Sequence, residues 1–305
     1  MKKIAAITVV TIASLFIWTP LASAQSAPPR QKVSLDGASW RVWLDEQAEW
    51  ATDKLYAPGE IPALNQLPVN APTSGWDSLA TQGIACTLPA CVEQLFSKGD
   101  PAYQYHGVSW FSASVKIPAD WQGKCVRLDI ARAHLRVEVY VNRKLAGYDL
   151  CMESPCGFDL TPYMKAGEPN ELAIRITNPG GSRGYNDTQL TRWGIPNKPT
   201  RKKDQQPPSN SDRLLPSGRD FGGLDTLTLT ATDPVYIADI FVMNQLPACS
   251  RNLEIRATLR NTTTVSVKRT FCVKVADQEK RVELNLQPGE NSAVIPLTVP
   301  GAKLW

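Results

Sequence analysis

Apolar residues fall at every second position in stretch after stretch of this chain, and that spacing restricts its fold more than any other feature. Phe111, Ala113, Val115 and Ile117 share one side of WFSASVKI, and Val126, Leu128 and Ile130 follow in CVRLDIA. Leu135, Val137, Val139 and Val141 line LRVEVYV, and Leu172, Ile174 and Ile176 line ELAIRIT. Successive side chains of a strand point to opposite faces, so this alternation predicts half-buried strands. A second series follows: Leu227 and Leu229, then VYIADIFV, LEIRATLR, Val265 to Val275, Val282 to Leu286, and Ile295 to Val299. Helical periodicity is nearly absent. One helical turn is expected in DLTPYMKAG, capped by Thr161, opened by Pro162 and ended by Gly167. Short strands separated by Gly, Pro and Asn turns predict an all-β chain built as two antiparallel sandwiches.

The division is expected at ATDP, 231–234, giving a first domain over 31–231 and a second over 232–305. Ahead of them, residues 1–24 read as an export leader. Lys2 and Lys3 precede the apolar run IAAITVVTIASLFIW, and Ala22-Ser23-Ala24 supplies a small-residue cleavage site. The run is shorter than the roughly 20 residues that span a bilayer, so the expectation is an exported protein, periplasmic or extracellular, with no membrane span.

Charge narrows the partners. The formal net charge is +4, and two of the positive charges belong to the leader. Nucleic acid is therefore not expected as a partner, because phosphate-neutralising proteins concentrate far more positive charge on one face. The one basic run, KPTRKKD at 198–204, sits among Pro, Ser and Asn and reads as a solvated loop.

Seven cysteines in an exported chain point to disulfides. Cys86 with Cys91 and Cys151 with Cys156 are close in sequence, Cys249 and Cys272 flank a hairpin pattern, and Cys125 is left over. The C-x4-C spacing is loose for zinc, and the two histidines, His106 and His134, lie beside neither close pair. No metal and no cofactor are expected.

Catalytic motifs are missing too. The sequence contains no G-x-S-x-G elbow, H-E-x-x-H, P-loop or G-x-G-x-x-G. Paired carboxylates about 5–9 Å apart would suffice for glycoside hydrolysis, but spacing selects no such pair. Other features read structurally. Trp110 and Phe111 fall on opposite faces of one strand, VYVNRKLAG reads as strand, turn and return strand with Gly147 relieving backbone strain, and Gly222-Gly223 suits a tight turn or a close backbone approach. Among the tryptophans Trp40, Trp43, Trp50, Trp76 and Trp121, a core role is the ordinary one.

Four segments in order carry a resemblance: YHGVSWFSASVKIPADWQGKCVRLDI, VEVYVNRKLAG, FDLTPYMKAGEPNELAIRITNP and GRDFGGLDTLTLTATDPVYIADIFV. Together they resemble the N-terminal sugar-binding domain of glycoside hydrolase family 2, the β-galactosidases, β-glucuronidases and β-mannosidases, over roughly residues 33–245. The resemblance implies a jelly-roll, galactose-binding-like sandwich followed by an immunoglobulin-like one. It also implies a catalytic (β/α)8 barrel, which needs about 250 residues, beyond a junction at Leu304-Trp305, so a separately encoded barrel is an expected partner. No catalytic residue is expected within the chain itself. By the same resemblance, a loop of the first domain reaches the substrate, making Asn186, Asp187 and Trp193 of NPGGSRGYNDTQLTRWG the candidate sugar contacts. A solvated Gly-rich loop packed on Trp193 is the competing reading. The functional expectation is the non-catalytic N-terminal part of a family 2 enzyme acting on carbohydrate. A free-standing carbohydrate-binding module, or a small hydrolase with its own carboxylate pair, are the alternatives.

Overall fold

The computed structural model describes residues 30–37, 39–48, 69–96, 105, 107–134, 136–149, 154–178, 222–245 and 251–300. Within them the chain is all-β, with two sandwiches, one short α-helix and two 3-10 turns, and every strand pairing is antiparallel. The export leader expected at 1–24 and the junction at Leu304-Trp305 lie outside the described residues.

The first sandwich opposes a four-stranded and a six-stranded sheet. The smaller has the order β1 (Gln31–Ser34), β13 (Leu227–Thr232), β6 (Cys125–Ile130), β10 (Cys156–Asp159). The larger runs β3 (Ile84–Cys86), β2 (Trp40–Asp45), β5 (Gly107–Lys116), β11 (Pro169–Asn178), β8 (Arg136–Val141), β9 (Lys144–Asp149). The alternating residues of the sequence meet between the sheets. Phe111, Val115, Val139, Val141, Leu172, Ile174 and Ile176 come from one side, and Val126, Leu128, Ile130, Phe158, Leu227 and Leu229 from the other. Each such side chain, fully buried, contributes about 1.5–3 kcal/mol, so this layer is the main source of stability. A small third sheet closes one end, with β12 (Gly223–Leu224) between β4 (Ala90–Cys91) and β7 (Ala133–His134).

The second sandwich has a sheet of β14 (Val235–Asn244), β15 (Asn252–Asn261) and β18 (Gly289–Thr298), opposed by β16 (Val267–Val275) and β17 (Gln278–Leu286). Its core is a separate cluster that includes Ile255, Leu259, Phe271, Val273, Ile295 and Leu297. The sandwiches touch through Lys124 Nζ and Asp233 Oδ1 at 3.1 Å and through Cys125 Sγ and Thr262 Oγ1 at 3.2 Å.

Several local expectations change. DLTPYMKAG does make one turn, with Tyr163 N and Met164 N both donating to Leu160 O at 3.0 Å, but its cap differs from the one expected. Asp159 Oδ1 accepts from Thr161 N at 3.0 Å and Thr161 Oγ1 at 2.6 Å, so the side chain that organises the turn comes two residues earlier than expected. The α-helix, α1 (Val92–Phe96), lies instead where no helical period is visible. Gly147 is required by space and not by backbone strain, because a Cβ there would sit 2.3 Å from Phe158 Cδ1. The turn it follows does use left-handed backbone, at Asn142 and Arg143. Gly223 makes the expected close approach, its Cβ position lying 2.5 Å from Ala90 O.

The expected Cys86–Cys91 bridge is not formed. The two thiols stand on different sheets, Cys86 beside Trp40 and Cys91 beside Gly223. Cys91 Sγ instead donates to Glu93 Oε2 at 3.3 Å. Cys151 and Cys249, the expected partners of Cys156 and Cys272, lie outside the described residues.

Candidate functional site

Asn186, Asp187 and Trp193 lie outside the described residues, between Asn178 and Gly222. The chain leaves β11 at Asn178 and returns at Gly222. These two ends are adjacent, for a Cβ on Gly222 would lie 3.7 Å from Asn178 Cβ. Glu93 of α1 holds the root. Its Oε1 accepts from Gly222 N at 3.1 Å and from Tyr105 N at 3.3 Å, while Asn178 Nδ2 donates to Tyr105 O at 2.9 Å. Burial is the main cause pushing the Glu93 carboxyl above its ordinary value, opposed in part by these donors. Burial also raises the Cys91 thiol. Both oxygens of Glu93 are engaged, so this carboxyl clamps the segments at Cys91, Tyr105 and Gly222 together.

The outward face of the six-stranded sheet holds a second polar group. Glu138 and Arg175 stand opposite one another on β8 and β11, and Arg175 Nη1 donates to Glu138 Oε1. Glu138 Oε2 accepts from Tyr140 Oη at 2.6 Å and from Asn70 Nδ2 at 2.9 Å, and Asn70 N donates to Tyr140 Oη at 3.1 Å. Asp45 is bonded by Trp110 Nε1 at 3.1 Å, Thr73 N at 3.0 Å and Thr73 Oγ1. Trp76 closes the group, its ring centroid 5.6 Å from Trp110 and 5.2 Å from Tyr140. Burial first, then the Glu138 charge, keeps the Tyr140 phenol un-ionised far above its usual range.

Alternation alone would assign these outward positions to solvent. They are buried because residues 69–80 cross the sheet, and nothing in the sequence near Glu138 or Arg175 announces that cover. Trp110 and Phe111 do part to opposite faces, but both end up buried. His134 sits half-buried on β7, and His106 lies outside the described residues. No group of three or more His, Cys, Asp or Glu among the described residues is placed to hold a metal ion, and no described helix is long and apolar enough to cross a membrane.

Comparison with known proteins bears on this architecture. No protein-family model matches the chain. Over 78 residues it is 35% identical to a β-glucuronidase of Formosa agariphila, a stretch that covers 26% of this chain and 8% of that enzyme. Over 72 residues it is 32% identical to the β-galactosidase BoGH2A of Bacteroides ovatus, covering 24% and 8%. In these stretches and in fold the chain is similar to glycoside hydrolase family 2 enzymes, each matched over only part of its length. Solved family 2 structures share the fold. A Bacteroides uniformis β-glucuronidase superposes with a TM-score of 0.57 at 18% identity, over 91% of this chain and 29% of its own. An Eisenbergiella tayi β-galacturonidase bound to galacturonate gives 0.58 at 16%, over 92% and 39%. The chain thus spans well under half the length of these solved structures.

Proposed function

We propose that this chain is the non-catalytic, carbohydrate-orienting N-terminal part of an exported family 2 glycosidase. Its first domain, 31–231, presents the loop after β11 to the sugar, and its second, 232–305, supports the assembly. Bond cleavage belongs to a catalytic domain outside these sandwiches. The observation that carries the reading is one of coverage: the fold matches across about nine-tenths of this chain but 29% of the B. uniformis enzyme. The engagement of Glu93 and Glu138 by structural donors supports the same reading, since each carboxylate spends its lone pairs on the scaffold. Asn186, Asp187 and Trp193 are the proposed sugar contacts, Trp193 through stacking and the other two through hydrogen bonds.

Titration calorimetry of the purified chain against β-galactosides and β-glucuronides tests the contact role. Saturable binding that weakens in Trp193→Ala and Asp187→Ala is the expected result. Binding unchanged in both variants would remove these residues from the sugar site, and absence of any binding would remove the orienting role.

A further inference from the structure

The join between the two sandwiches hangs on one backbone residue. Thr232, the last residue of β13, pairs with Cys125 at the start of β6 and so moves with the first sandwich. Pro234 moves with the second, because its carbonyl accepts from Thr262 N at 2.9 Å and from Thr262 Oγ1 at 3.0 Å, and β14 begins at the next residue. Asp233 separates these two held positions. Its backbone has limited freedom, since the ring of a following proline disfavours the helical region and leaves the extended one. The apolar clusters do not bridge this point. Among the described residues none is common to both, Val126 and Ala231 belonging to the first cluster and Val235 and Ile237 to the second.

Polar side chains make the contacts at the join. Lys124 Nζ reaches Asp233 Oδ1 at 3.1 Å, and both side chains are partly exposed, so salt weakens the pair. Cys125 Sγ lies 3.2 Å from Thr262 Oγ1. A hydroxyl has one hydrogen, and that of Thr262 is given to Pro234 O. The donor between Cys125 and Thr262 is therefore the thiol. Arg30, ahead of β1, donates Nη2 to Ile237 O on β14. Tyr236 lies in the same seam. Its phenol is raised above its ordinary value first by burial and then by Cys125, with Arg260 of the second sandwich and Arg127 of the first opposing.

We propose that Asp233 is a hinge between the sandwiches, latched at one setting by Lys124 and by the hydrogen bond from the Cys125 thiol to Thr262. Releasing the latch lets the second sandwich turn on the first within the range that Pro234 leaves to Asp233. Salt loosens one part by screening Lys124 from Asp233. Loss of the thiol hydrogen removes the other, because it leaves two acceptors facing one another. The angle between the sandwiches then follows ionic strength and the state of one thiol, while both cores stay intact. This stands independently of the sugar-binding reading.

The test uses the full chain with a donor and an acceptor fluorophore on non-canonical residues at Lys116 and Glu283, exposed positions of the first and second sandwich. Single-molecule energy transfer reads the separation between them. At low salt the parent should give one narrow population, and raising NaCl to about 0.5 M should broaden it. Lys124→Met combined with Cys125→Ala should be broad already at low salt, whereas Cys125→Ser, which keeps a donor, should match the parent. Hydrogen exchange along β11 and β15 should be the same in every variant. Populations that neither salt nor the double variant changes would overturn the proposal, as would Cys125→Ser behaving like the double variant. Faster exchange along β11 or β15 in the double variant would also overturn it, by tracing the broadening to a disturbed core.

Discussion

Arg175 and Glu138 face each other across the β8–β11 pairing with side chains 2% and 0% exposed, a charge pair sealed on the outward face of the sheet by residues 69–80. Desolvating two charges is costly, and their attraction, together with the bonds from Tyr140 and Asn70, offsets that cost only while both partners remain. Removing one leaves a buried charge alone.

Urea unfolding should therefore show Glu138→Leu and Arg175→Met each losing about 3–5 kcal/mol, while the double variant recovers to within roughly 1 kcal/mol of the parent. Additive losses in the double variant would mean that the pair is not coupled.

Glu93 gives a pH dependence with a fixed sign. Its folded carboxyl is raised above the ordinary value of 4.5, chiefly by burial, so the folded state favours the protonated form. The stability this contributes is complete below the unfolded value and is lost as pH rises through the raised folded one. Glu93→Gln keeps an oxygen for Gly222 N and Tyr105 N without the charge. The stability of the parent relative to this variant should fall as pH climbs above about 4.5, as measured by denaturant unfolding at a series of pH values. A difference that grows with pH would contradict the assignment.

Two glycines separate crowding from backbone conformation. At Gly223 a Cβ would meet the backbone oxygen of Ala90 at 2.5 Å, whereas at Gly37 it would meet nothing within 4 Å although φ is +71°. Gly223→Ala should cost about 1–3 kcal/mol by forcing the small sheet apart. Gly37→Ala should cost about 1 kcal/mol through its left-handed backbone alone. Melting temperatures should rank Gly223→Ala below Gly37→Ala, and hydrogen exchange should rise at β4 and β12 only in the former.

What the sequence made legible follows from the range of each interaction. Period-two runs announce β5, β8 and β11 because alternation is a local property of those residues, and Asn142-Arg143 announces its turn for the same reason. Glu93 gave no such signal, since Tyr105 and Gly222 lie 12 and 129 positions away. Glu138 is likewise bonded by Asn70 from 68 positions upstream. The mean pattern shows which face a side chain takes, but not whether another segment crosses that face. Gly147 is an instructive case: the sequence suggested relief of backbone strain, whereas the cause is the Phe158 ring from β10. Asn178 and Gly222 likewise meet beside Glu93 with nothing local in the sequence to announce it.

The most direct test of a scaffold that orients sugar without cleaving it is turnover of aryl β-glucuronides and β-galactosides by the purified chain, beside the full-length Formosa agariphila β-glucuronidase. The account predicts no release of the aryl group above the buffer blank from this chain alone. Sustained release that a single Asp or Glu substitution abolishes would place the catalytic carboxylates within these 305 residues and contradict it.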